Sequence, residues 1–254
     1  MIELILILTG LTMGSFANNM ISYFTGSSRF DLLRSTCLCG EKVLAWNEII
    51  PVVSYIFLKG KCGSCEKRIP ARYIIVESVS ALLILLCYFR YGLTVEALFH
   101  YSVLWLLLVI GLTDLDKMII PNTVTFFLIT AALAGFHFLE TEILTKVITS
   151  IAFIAVFSLL NFMYERIKKR PALGYGDIKL IGALALFYPL FQFSFGIWLA
   201  SLLAIPGYFY MKKPGVQNFR EGKIPFGFFL CTGFIISDFF AEVIEMSYYD
   251  FIIN

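Results

Sequence analysis

ERIKKRPALGYGDIKLIGALALFYPL, residues 165–190, decides the fold. Arg166, Lys168, Lys169 and Arg170 crowd its start, and LIGALALFYPL (180–190) carries no charge at all. A cationic segment running into an apolar one is the pattern left where a chain passes from water into a bilayer. Between them stands Asp177, flanked by Gly174 and Gly176. A carboxylate at that boundary is costly unless something uses it.

The rest of the chain reads the same way. Of 254 residues, 59% are hydrophobic and only 15% charged, where a soluble domain carries about 25% charge. The expected fold class is an all-α polytopic membrane protein. Crossing a bilayer takes about 20 apolar residues. Runs at 2–24, 73–91, 95–113, 122–139, 146–164, 177–191, 193–211 and 224–243 predict eight transmembrane helices, with Pro189 and Gln192 separating two short runs at the sixth and seventh. The N-terminal run lacks a basic leader and a small-residue cleavage site, so it reads as the first span rather than a signal peptide. Cys87 and Cys231 fall inside apolar runs and read as packing residues.

With eight spans, 18 of the 20 Lys and Arg residues fall on one side, leaving only Arg90 and Lys146 opposite. Positive charge marks the cytoplasmic face. Both termini are therefore expected outside, with the large polar segments in the cytoplasm. Three segments follow: a first transmembrane helix (1–24), a cytoplasmic cysteine-containing segment (25–72) and a transmembrane body (73–254).

This topology puts two distant acidic motifs on the same face. GLTDLDKMIIPN (111–122) ends the third span and GYGD (174–177) opens the sixth. Each has a bland reading: Asp177 as the N-cap of its helix behind two turn glycines, and Asp114 and Asp116 as interface residues. As a pair they have chemistry. Two carboxyls about 3 Å apart cannot both ionise. The ionised one draws a proton from water, which attacks a peptide carbonyl; the protonated one donates to the oxyanion and then to the leaving amine. His100 and His137 are the only histidines, and neither H-E-x-x-H nor G-x-S-x-G occurs, which argues against zinc-protease and serine-hydrolase chemistry.

The 25–72 segment carries Cys37, Cys39, Cys62 and Cys65, in the pattern C-x-C-x22-C-x2-C. Four thiolates can hold a structural zinc, and a polar unit this small gains from a metal clamp. Disulfides are disfavoured in the reducing cytosol. Four separate thiols, or a redox pair at Cys62 and Cys65, stay open as alternatives.

Together these residues resemble the type IV prepilin peptidase family, the leader peptidase/N-methyltransferases of pilus, type II secretion and competence systems. GSFANN (14–19), IPVVSYIFLKGKCGSC (50–65), YIIVES (73–78), TDLDKMIIPN (113–122), GYGD and IPFGFFL (224–230) are similar to its motifs, in order and over nearly the whole chain. The resemblance implies a G-x-G-D aspartic membrane protease with Asp114 and Asp177 as the catalytic pair and Asp116, Gly174 and Gly176 supporting. It implies Cys37, Cys39, Cys62 and Cys65 as zinc ligands. The implied reaction removes the basic leader from a prepilin or pseudopilin at the cytoplasmic membrane face. N-methylation of the new terminal residue from S-adenosylmethionine follows, with Gly14, Gly60 and Glu77 on the methylation side. The expected partners are these substrates and lipid, with no nucleic acid. Three positions depart from the family pattern: the short Cys37–Cys39 spacing, Asn122 where many members have aspartate, and Phe228 in place of the second proline of P-F-G-P. No glycine-rich nucleotide loop is visible, so the methyl donor rests on the resemblance alone. The rival readings are a presenilin-like intramembrane protease without methylation, a proton-coupled secondary transporter using the two aspartates, and a non-enzymatic assembly scaffold.

Overall fold

The computed structural model describes residues 1–26, 57–58, 60–62, 67–138, 143–212 and 223–253. Among them the chain forms eight helices: α1 (Ile2–Phe24), α2 (Arg72–Tyr91), α3 (Val95–Lys117), α4 (Asn122–Phe138), α5 (Ile143–Lys168), α6 (Tyr175–Phe187), α7 (Leu190–Met211) and α8 (Phe226–Ile253). No strand occurs among the described residues; Lys61 and Arg68 form an isolated antiparallel bridge. The all-α expectation holds among the described residues, and each expected apolar run overlaps a helix.

Among the described residues the eight helices differ in length and apolar extent. Five helices, α1, α2, α3, α5 and α7, are long and apolar enough to cross a membrane. The apolar stretches of α4 and α8 are shorter, Asn122–Gly135 and Phe226–Phe240. The sixth predicted span, 177–191, is cut short: α6 has 13 residues and rises only about 20 Å. The cause is local. A proline disfavours helical geometry in the residue before it, and Tyr188, which precedes Pro189, is extended with ψ 143°. Pro189 then serves as the N-cap of α7.

The described chain divides into two compact units, Met1–Val109 and Ile110–Asn254, with α3 starting in the first and ending in the second. In the first unit α1 packs on α2. A Cβ on Gly10 would lie 2.5 Å from the Ala81 Cα, and one on Gly14 would lie 2.5 Å from the Glu77 Cα. Small residues four apart thus bring two backbones into direct contact, a common device between apolar helices. Polar bonds fix the register: Asn18 Nδ2 donates to the Tyr73 carbonyl at 3.0 Å. Trp105 Nε1 donates to the Met13 carbonyl at 2.9 Å, and Ser80 and Tyr101 share a hydroxyl–hydroxyl bond of 2.9 Å.

In the second unit α7 packs on α8, and α6 lies against α4 and α5. All residues from Leu180 to Phe187 are buried, although α6 is uncharged there on every side. A helix apolar all round belongs inside. The α5 helix is the opposite case, since only Ser150 and Asn161 are buried along its 26 residues. It holds α6 by polar contacts: Ser150 Oγ donates to the Gly182 carbonyl at 2.8 Å. Lys146 Nζ donates to the Phe187 carbonyl at 3.3 Å. Phe187 ends α6, where helix carbonyls have lost their partners in the next turn, so the lysine caps the break that Pro189 creates.

Candidate active site

Asp114 lies in the last turn of α3. That helix stops because Met118 adopts a left-handed conformation, φ 56°, while its N–H reaches back to the Asp114 carbonyl at 2.7 Å. The strain of a non-glycine residue in that region costs about 1–2 kcal/mol, and Pro121 and Asn122 then redirect the chain into α4. The Asp114 side chain is 5% exposed. Its Oδ2 accepts the Phe228 N–H at 3.0 Å, and the Gly227 N–H also reaches the carboxylate. Both donors belong to the first turn of α8, whose amides have no partner within the helix. The carboxylate therefore caps α8 from another helix, with the favourable sign for a helix N-terminus.

This approach depends on Gly227. A Cβ there would lie 2.9 Å from Asp114 Oδ2 and 3.0 Å from both Asp114 Cγ and Ile120 Cδ1. The departure at Phe228 also acquires a meaning, because a proline at that position could not donate to Asp114.

Asp177 is the third residue of α6. The N-cap is Gly174, not Asp177, with φ −68° and ψ 144°. Asp177 instead reaches back one turn, and its Oδ2 accepts the Gly174 N–H at 3.2 Å. Gly174 leaves room for this, since a Cβ there would stand 3.0 Å from that oxygen. Gly176 lets Ile120 close over the turn, with a Cβ position 3.2 Å from the Ile120 Cβ. Ile120 thus touches the sites of Gly176 and Gly227 alike and bridges the two acidic turns.

Asp114 and Asp177, 63 positions apart in sequence, are close enough for their carboxyls to act on one another electrostatically. Cys231, read from sequence as packing, is buried and interacts electrostatically with both. Its Cβ lies 3.0 Å from the Cβ position of Gly111. Asp116 is half-buried and two residues beyond Asp114, about 200° around the helix. Lys179 Nζ donates to Asn122 Oδ1 at 3.4 Å, tying the start of α6 to the start of α4; the asparagine departure is thus also used.

Two profiles of known families cover most of the sequence. The Bacterial Peptidase A24 N-terminal domain matches residues 8–91, and the Type IV leader peptidase family matches residues 101–208. A Pseudomonas putida prepilin leader peptidase/N-methyltransferase is 31% identical over 230 residues, 88% of this chain and 78% of the relative. The chain belongs to the type IV leader peptidase family. Further members agree. The Legionella pneumophila prepilin leader peptidase/N-methyltransferase is 30% identical over 84% of this chain and 74% of its own length. That of Dichelobacter nodosus is 33% identical over 80% and 70%. No solved structure matches the chain. The relatives share the name prepilin leader peptidase/N-methyltransferase, and the five helices long and apolar enough to cross a membrane fit a multi-pass protein.

The other expected site residues fall in the first unit or outside the described residues. Cys37, Cys39 and Cys65 lie outside them, as does most of the 25–72 segment. Cys62 is buried; its N–H donates to the Lys67 carbonyl at 2.8 Å, and the Ile69 N–H donates to the Gly60 carbonyl at 2.8 Å. With Gly60 at φ 71°, these bonds and the Lys61–Arg68 bridge pair the Gly60–Cys62 segment with Lys67–Ile69. Gly14 is accounted for by its contact with the Glu77 backbone, and Glu77 itself is buried on α2.

Sequence reasoning missed Asn161. It lies in an apolar run, SLLNFMY (158–164), and is 4% exposed. Its Oδ1 accepts the N–H of Ala172 at 2.9 Å and of Leu173 at 3.0 Å. An amide in the middle of such a run was the available signal.

Proposed function

We propose that the protein is a membrane-embedded aspartic endopeptidase that removes the basic leader from type IV prepilins or pseudopilins at the cytoplasmic membrane face, and then N-methylates the new terminal residue. The observation that carries the peptidase half is the meeting of Asp114 and Asp177. One carboxyl is ionised and the other protonated, because like charges this close oppose double ionisation. The ionised group takes a proton from water, and the resulting hydroxide oxygen bonds to the scissile carbonyl carbon. The protonated group gives its proton to the carbonyl oxygen. Collapse of the tetrahedral intermediate breaks the C–N bond, with a proton delivered to the leaving amine. The amides of Gly227 and Phe228 hold Asp114 in place, and the Gly174 amide holds Asp177.

Methylation is supported by the names of the relatives, with S-adenosylmethionine as the methyl donor and Gly14, Gly60 and Glu77 as the residues on that side. A structural zinc at Cys37, Cys39, Cys62 and Cys65 is supported by the four-cysteine pattern of the sequence; it would brace the 25–72 segment.

The test is direct. The purified wild-type protein and Asp177→Asn are each mixed with a prepilin peptide and S-adenosylmethionine, and the products are read by mass spectrometry. The wild type should release the leader, and added methyl groups should appear on the mature product. Asp177→Asn should lose cleavage by at least about 1,000-fold while inserting and unfolding normally. Cleavage by Asp177→Asn at the wild-type rate would sink the aspartic mechanism.

A further inference from the structure

The only two residues that α5 buries are polar, and one of them, Asn161, sits 16 positions from Asp177 in sequence yet holds the chain just ahead of it. Its single oxygen takes two consecutive amides, Ala172 and Leu173, which fills both acceptor sites of an amide carbonyl. The next amide along, Gly174, donates to Asp177 Oδ2. Three successive N–H groups are therefore fixed, two by Asn161 and one by the acid itself, and the α6 helix begins at the following residue. Nothing in the loop Lys169–Leu173 could do this by regular structure. Lys169 has φ 58°, which ends α5, and Pro171 has no amide to offer.

We propose that Asn161 is the positioning residue for Asp177: it fixes the 172–174 backbone and so sets where the first turn of α6 presents its carboxyl. The proposal rests on the reading of Asp177 as a catalytic acid. Asn161 touches no reacting atom. Its effect comes from alignment, and a displacement of about 1 Å at a reacting group costs on the order of 100-fold in rate.

Three proteins separate this role from mere folding: wild type, Asn161→Leu, which keeps the volume and loses the acceptor, and Asn161→Asp, which keeps an acceptor oxygen. In prepilin-peptide cleavage, Asn161→Leu should lower kcat by about 10- to 100-fold with KM within about two-fold. Asn161→Asp should recover most of that loss. Hydrogen exchange read by mass spectrometry on the same samples should show faster exchange in the peptide holding Ala172 and Leu173 for Asn161→Leu alone, with exchange in α7 and α8 unchanged. Wild-type kcat in Asn161→Leu overturns the inference. So does unchanged protection at 172–173, or equal loss in the leucine and aspartate variants. If the wild type itself fails to cut, the peptidase reading falls instead, while the exchange result still decides whether Asn161 tethers the loop.

Discussion

Replacing Gly227 with alanine tests the geometry of the acid pair from an unexpected direction. The new methyl would stand 2.9 Å from Asp114 Oδ2, where an ordinary contact begins at 3.4 Å. Ile120 Cδ1 crowds the same methyl at 3.0 Å. The carboxyl must therefore back away by about 0.5 Å, the difference between those two distances. Its bond to the Phe228 amide, now 3.0 Å, would stretch to the edge of hydrogen-bonding range. A hydrogen bond to a charged group contributes about 1.5–3 kcal/mol, and about 1.4 kcal/mol is tenfold in rate. Cleavage should fall by about 10- to 100-fold. Stability should fall as well, because that loss outweighs the about 1 kcal/mol by which alanine favours a helix over glycine. The assay is initial-rate cleavage of a prepilin peptide in detergent, paired with thermal unfolding of the same samples. A well-folded Gly227→Ala enzyme cutting at the wild-type rate would refute the claim that Asp114 is held against α8 for catalysis.

Two further substitutions probe the first unit. Gly14→Ala forces a methyl onto the Glu77 backbone at 2.5 Å, so α1 must lift from α2; overpacking of this kind costs about 1–3 kcal/mol and should lower the unfolding temperature in micelles. Gly92→Ala has open space but φ 69° and ψ −160°, a region for glycine alone, and should destabilise by about 1–3 kcal/mol while prepilin cleavage per folded molecule stays at wild-type level.

Much of this was legible because apolar runs and their charged ends write themselves directly into composition. The first span, expected at 2–24, is Ile2–Phe24, and the second, expected at 73–91, is Arg72–Tyr91. Hydropathy reads transfer from water, not backbone geometry. It joined 177–191 into one span, whereas Pro189 bends Tyr188 out of the helix and ends α6 at Phe187. The acid pair was readable because Asp114 and Asp177 each break an apolar pattern beside glycine or proline. Asn161 was passed over because a lone amide in an apolar run signals nothing about which amides will meet it. Gly227 shows in the sequence only as part of IPFGFFL; its use, giving a neighbouring acid room in the first turn of α8, depends on a contact between distant helices.

The tethers along α5 also work as a depth gauge. Lys146 and Asn161 mark the two ends of α6 on it, and Glu165, the first charged residue beyond Asn161, comes four residues, about 6 Å, farther along. The segment bearing Asp177 thus begins below the line where α5 turns charged, on a rod about 10 Å too short for a hydrocarbon layer about 30 Å deep. Leu180–Phe187 are buried, so neighbouring helices rather than lipid flank this short rod. With its start only about 6 Å below that line, bulk solvent has a shallow descent to the acids, which would give a hydrolase working in oil its second substrate without a dedicated channel.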